Sequence, residues 1–153
     1  MEHILMATGL TIRRGTVLLV ASKYAPPTEV LWNLPGGRQT KGELLMETVV
    51  REVLEETGLK AVVKELAYVS ESFDGDRHFL NATFRVEVHG EIHVPKEHDH
   101  IADVAWVPFA DVDSRPMAAV VRDPLLAHLE HRLDRRYAGF HSADISVSWG
   151  HEA

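Results

Sequence analysis

Gly37-Arg38-Gln39-Thr40-Lys41-Gly42-Glu43-Leu44-Leu45-Met46-Glu47-Thr48-Val49-Val50-Arg51-Glu52-Val53-Leu54-Glu55-Glu56-Thr57-Gly58-Leu59 is the stretch from which the rest of the chain can be read. From Glu43 to Thr57 apolar residues recur at helical spacing, and Gly58 suits the left-handed turn that stops a helix. On such a helix Glu52, Glu55 and Glu56 stand at i, i+3 and i+4, so three carboxylates project toward one patch, with Glu43 and Arg51 along the same side. Like charges at this spacing cost ~0.2–0.5 kcal/mol per pair, and Arg51 alone does not neutralise them all. An acidic helical stripe is ordinarily a solvated face. The sharper alternative is a divalent cation: oxygen ligands suit Mg²⁺, with Mn²⁺ as a substitute, and Mg²⁺ commonly sits on one or two carboxylates, waters and substrate phosphates.

The spacing carries more than charge. Gly37, five residues, Glu43, seven residues, and then Arg51-Glu52-Val53-Leu54-Glu55-Glu56-Thr57-Gly58-Leu59 match every fixed position of the Nudix box, with Pro35-Gly36 before it. At ordinary residue usage a chance match in a chain this long is about one in ten million. The chain therefore resembles a Nudix hydrolase. That resemblance implies an α/β fold, a mixed β-sheet sandwiched between helices, and a Mg²⁺-dependent enzyme that cuts a phosphoanhydride in a nucleoside diphosphate linked to another group. It implies further that the carboxylates of Glu52, Glu55 and Glu56 and the carbonyl of Gly37 bind metal, while Glu43 pairs with Arg51 to fix the cluster.

The chemistry asks for such an arrangement in its own right. Diphosphate oxygens repel a nucleophile, and metals neutralise that charge, orient the phosphorus and acidify a bound water. A carboxylate within hydrogen-bond reach then takes the proton, and Glu52 is the first candidate for that base.

Length and composition bound the rest. A chain of 153 residues with 45% apolar content is expected to form one domain, 1–153. The net charge of −7 runs against sequence-independent nucleic-acid binding, which needs a basic footprint. Without cysteine there is no disulfide framework and no thiolate site. Met1-Glu2-His3 lacks a basic signal-peptide start and no apolar run approaches a membrane span, so a cytoplasmic protein with a small-molecule nucleotide or diphosphate substrate is expected.

Along the chain, 4–12 and 16–21 read as strands paired through an Arg13-Arg14-Gly15 turn. Lys23 stands where a basic residue often reaches substrate phosphates in the resembled family, though an exposed lysine is the ordinary case. A short strand at 31–34, strand character over 60–72, a turn at Asp74-Gly75 and a returning strand over 77–88 follow, with Arg77 near the turn as a further substrate contact. Many family members place a catalytic or metal-binding glutamate six residues before a tryptophan. Before Trp106 that position is His100, flanked by Glu97 and Asp99, which leaves these three as candidates for a loop base. Thr40 likewise replaces an auxiliary glutamate.

Toward the end, 103–107 reads as a strand, 108–112 as a short helical turn, and 115–133 as a helical pattern that Pro124 should restart or kink. Alternation over 143–149 suggests an extra strand that covers an edge, lines the cleft or joins a second subunit as a homodimer. Neither the proline expected near Asp74 in ADP-ribose hydrolases nor the tyrosine expected near Gly75 or Asp76 in dinucleoside-polyphosphate hydrolases is present. The substrate class thus stays open between nucleotides and non-nucleotide diphosphates. A sensing module without turnover would be expected to lose box carboxylates, all of which this chain keeps.

Overall fold

Strand β3 (Thr16–Lys23) is buried on both faces because its alternate side chains serve two different cores. Leu18 and Val20 join Ala7, Val49, Val53 and Val86 on one side, whereas Val17, Leu19 and Ala21 join Leu10, Val107, Val112 and Leu125 on the other. The computed structural model that shows this describes residues 1–23, 30–94, 100–141 and 148–149.

Helix α1 (Leu45–Thr57) supplies Val49 and Val53 to the first core, and helices α2 (Phe109–Val112) and α3 (Ala119–Leu129) close the second. The expected α/β sandwich is present, but its strands form two sheets rather than one. A six-stranded mixed sheet runs β10 (Ser148–Trp149), β9 (Tyr137–Phe140), β6 (Lys60–Asp74), β7 (Arg77–His89), β1 (Glu2–Leu10) and β5 (Gly36–Arg38). In the second, antiparallel sheet, β3 pairs with β2 (Ile12–Arg13), β4 (Val30–Asn33) and β8 (Ile101–Pro108).

The hairpin expected between 4–12 and 16–21 is confined to its tip. Ile12 and Arg13 pair with Val17 and Thr16 around Arg14 and Gly15, both at positive φ (51° and 74°), but β1 leaves for the other sheet. There it runs parallel to β7, from Glu2 beside Arg77 to Leu10 beside Arg85, and antiparallel to β5. Local alternation marks a strand without naming its neighbour, and β1 buries more by lying between two distant strands. Strand β6 carries register shifts against β7 between Val63 and Glu65 and between Leu66 and Tyr68.

Two further boundaries differ from expectation. Helix α1 begins at Leu45, not Glu43; Glu43 lies in the preceding loop, and the Glu47 carboxylate accepts the Leu44 N–H at 2.8 Å. Helix α3 neither restarts at Pro124 nor extends from 115; it runs through Pro124, whose ring is buried. A proline there cannot donate to the carbonyl four residues back, and its burial offsets that loss. At the C-terminus, Ser148 and Trp149 pair with Gly139 and Ala138, so this part of the expected strand covers the β9 edge; 143–147 lie outside the described residues. Arg132 pairs with Asp134 at 2.8 Å, and Arg135 lies over the Trp149 ring at 4.8 Å.

The contact between α1 and β1 depends on Gly9. A Cβ there would sit 3.0 Å from Val49 Cγ2 and 3.1 Å from Val53 Cγ2. Gly9→Ala is therefore expected to destabilise by about 1–3 kcal/mol through overpacking. Urea unfolding checks this: the midpoint should fall at unchanged m-value, and an unaltered midpoint would contradict the close packing.

Candidate active site

The box residues converge because two glycines let β5 press against both its neighbours. A Cβ on Gly36 would lie 2.3 Å from the Ala7 carbonyl oxygen, and one on Gly37 would lie 2.6 Å from Cδ of Glu52. Only glycine allows the strand to run between β1 and the carboxylate face of α1.

Arg51 organises that face. Its Nε and Nη2 donate to the two oxygens of Glu43 at 3.1 and 2.7 Å, and Nη2 also donates to the Arg38 carbonyl at 3.1 Å. Nη1 donates to Glu52 at 2.8 Å and to Glu55 at 3.2 Å. A guanidinium has five N–H donors, and all five are used. Glu43 in turn accepts from the Thr40 N–H and the Thr48 hydroxyl, both at 2.9 Å. The Arg51 guanidinium, with the Thr40 N–H second, holds the Glu43 carboxyl far below the usual carboxylate range. The Glu43 carboxylate keeps Arg51 charged in return.

Glu56 is different. Only 5% exposed, it lies beyond this fork and, among the described residues, accepts a single hydrogen bond of 2.8 Å, from the Gly36 N–H. Burial pushes its carboxyl up to about 8, with the charges of Glu52 and Glu55 adding to the rise and the Gly36 N–H opposing it. Among the described residues no three acidic or imidazole side chains converge on one point, since Arg51 draws Glu52 and Glu55 to itself. The donor set nevertheless fits a hard cation: a buried acid, two more acids on the same helix face, and a glycine whose missing side chain leaves room against Glu52.

The loop candidates separate. His100 Nε2 lies 3.7 Å from Glu56 Oε2, so the residue at the family's glutamate position does reach the cluster. The Lys23 N–H donates to the His100 carbonyl at 2.7 Å, which puts the exposed Lys23 on the adjoining strand end. Glu97 and Asp99 lie outside the described residues. Arg77 is not at the carboxylates; it pairs with Asp74 at 3.1 Å and lies over Phe79 at 5.4 Å. It stands beside Glu2 while Gly37 stands beside Ala7, a separation of about 16 Å along β1.

Sequence reading missed a cavity of about 380 Å³ on the other face of β1, with Trp32, Leu34 and Phe79 among its apolar walls and Thr8, Asn81 and Thr83 among its polar groups. Trp32 belongs to the core and also lines this cavity. Thr8 comes from β1 and Asn81 and Thr83 from β7, 75 positions apart in the Thr8–Thr83 pair, so only the alternation within each strand hinted at a shared face. Thr8 pairs with Gly36, which makes the β1–β5 junction a wall common to cavity and carboxylates.

The Glu56 environment carries a pH signature. The folded carboxyl binds a proton that the unfolded chain, near 4.5, has released. Metal-free protein is therefore expected to lose stability as pH rises from about 4.5 to 8, by on the order of a few kcal/mol. Thermal unfolding in chelator across this range should show the decline in wild type and a smaller one in Glu56→Gln; identical slopes would contradict the burial argument.

Comparison with known proteins gives the same reading. Residues 4–129 match the family model of the NUDIX domain. A *Bacillus subtilis* protein provisionally named an 8-oxo-dGTP diphosphatase is 44% identical over 66 residues, 42% of each chain. A *Mycobacterium tuberculosis* protein, provisionally 8-oxo-dGTP diphosphatase 2, is 35% identical over 112 residues, 63% of this chain and 76% of that one. The chain thus spans under half of the first relative's length and about three quarters of the second's. The solution structure of the *E. coli* ORF135 protein superposes with a TM-score of 0.72 at 25% identity, covering 88% of this chain and 94% of that one. With the complete box, the matching fold and a family match over most of its length, the chain belongs to the NUDIX family of pyrophosphohydrolases.

Proposed function

We propose that this protein is a divalent-metal-dependent pyrophosphohydrolase of nucleoside triphosphate-type substrates. The observation that carries the reading is the Arg51 fork, which holds Glu43, Glu52 and Glu55 around one guanidinium with the buried Glu56 beside them. Glu52, Glu55, Glu56 and the Gly37 carbonyl would hold Mg²⁺, or Mn²⁺ in its place. Bound there, the metal supplies charge neutralisation at phosphorus and acidification of water. The chain's own residues position that chemistry: Arg51 fixes the carboxylates, and Glu52, bonded to Arg51 through Oε1, takes the proton from water. His100, at 3.7 Å from Glu56, occupies the place of the family's loop glutamate and is the second residue able to receive a proton.

Two observations favour a nucleotide over a non-nucleotide diphosphate. Both relatives described above carry names for diphosphatases of an oxidised deoxynucleotide. The cavity beyond β1 has apolar walls with a few polar groups, the form suited to a flat heterocycle. A sensor role is disfavoured because the carboxylates and their arginine are complete.

The test is product analysis by ion-exchange chromatography after incubation with Mg²⁺ and a panel of nucleoside triphosphates, oxidised deoxynucleotides, nucleotide sugars, ADP-ribose and dinucleoside polyphosphates. Triphosphates should be cut, chelator should abolish turnover, and Glu52→Gln should lower kcat by about 10²-fold or more. Arg51→Lys should not restore the activity lost in Arg51→Ala, because an ammonium offers three donors where the guanidinium offers five. No cleavage of any nucleoside triphosphate in the panel, or full activity of Arg51→Lys, would overturn the reading.

A further inference from the structure

Glu43 grips Arg51 from outside the helix, and one buried hydroxyl ties it to the helix independently of Arg51. Its bonds with Thr40 stay within the loop before α1: the Thr40 N–H donates to Oε1 at 2.9 Å, and the Glu43 N–H donates to the Thr40 carbonyl at 3.2 Å. Toward α1, among the described residues, the carboxylate meets Arg51 and the Thr48 hydroxyl, which donates to Oε1 at 2.9 Å. Thr48 stands in the first turn of α1 and is fully buried. Its hydroxyl also lies 3.2 Å from the Leu44 carbonyl. Carboxylate and carbonyl oxygens only accept, so the hydroxyl is the donor to both, and the charged oxygen is the nearer and stronger acceptor.

That tie bears on the cation site because Arg51 and a cation draw on the same carboxylates. Nη1 holds Glu52 at 2.8 Å and Glu55 at 3.2 Å, and a divalent ion that gathers these groups competes with it. The other edge of the guanidinium, Nε and Nη2, is held by Glu43. While Glu43 keeps that edge, Arg51 turns no further onto the helix carboxylates. A loosened Glu43 would free the edge for Glu52 and Glu55, and the competition would shift against the cation. We propose that Thr48 is a positioning residue for the metal site: its hydroxyl fixes Glu43 to α1, Glu43 restrains Arg51, and Glu52 and Glu55 stay available to a divalent cation. The inference rests on the metal-dependent reading above and adds a residue outside the fixed positions of the box.

The experiment is calorimetric titration of the metal-stripped protein with Mn²⁺ for wild type, Thr48→Val and Thr48→Ser. Valine keeps the buried volume and removes the donor, whereas serine keeps the donor; Thr48→Ala repeats the comparison without added bulk. Mn²⁺ affinity is expected to fall by about 3- to 10-fold in Thr48→Val and Thr48→Ala, and to stay within about twofold of wild type in Thr48→Ser. Urea unfolding of the metal-free proteins tests the route through Glu43: Thr48→Val should lower the midpoint less in a Glu43→Ala background than in wild type, as expected of two coupled residues. Undiminished affinity in Thr48→Val and Thr48→Ala, or an equal loss in Thr48→Ser, would overturn the positioning role. Equal midpoint losses in the two backgrounds would mark Thr48 as a packing residue and overturn it too. No Mn²⁺ binding by wild type would instead sink the metal-dependent reading, and this inference with it.

Discussion

One guanidinium decides where every carboxylate of the site stands. Without Arg51, Glu43, Glu52 and Glu55 would repel one another across a helix face and the loop before it. With Arg51, each has a direction. The same side chain reaches the Arg38 carbonyl, so the strand carrying Gly37 is tied to the helix carrying Glu52. A surface ion pair usually contributes little, but a fork whose five donors are all used sets geometry as well as charge. Glu56 is left outside that arrangement, in a buried position where an unneutralised charge is costly.

The fold serves this cluster through close approaches. Gly9 lets α1 settle on β1, Gly36 lets β5 pair with β1, and Gly37 lets β5 pass under Glu52. These contacts bring helix, loop and strand to one junction, and β1 is common to all of it. The other face of β1 points Thr8 into the cavity. The carboxylate cluster and the cavity thereby stand on opposite sides of a single strand.

What could be read from the sequence follows the range of the interactions. The helix and its stop at Gly58 (φ 78°) follow from spacing within a few turns and stand as expected, whereas of the three carboxylates placed on one patch only Glu52 and Glu55 meet at Arg51, Glu56 being buried against the Gly36 N–H. Glu43 is a good helix former, and no local signal shows that it caps the loop from outside the helix by accepting the Thr40 N–H. The Ile4–Ala21 region looked like one hairpin because its turn is real, whereas the parallel pairing of β1 with β7 depends on residues 75 positions away, as in His3 beside His78. The Thr8–Thr83–Asn81 network is illegible for the same reason. His100 was legible as a departure, and its approach to Glu56 was not, because it depends on how β3 and β8 pair.

The claim on which the rest depends is that the face beside Arg51 is a divalent-cation site completed by Glu56. The most direct measurement is calorimetric titration of the purified, metal-stripped protein with Mg²⁺, and with Mn²⁺ in parallel, for wild type and Glu56→Gln. The account predicts saturable binding in wild type and affinity lower by about tenfold or more in the variant, since a charged oxygen ligand is replaced by a neutral amide. Equal affinity in the two proteins would contradict it.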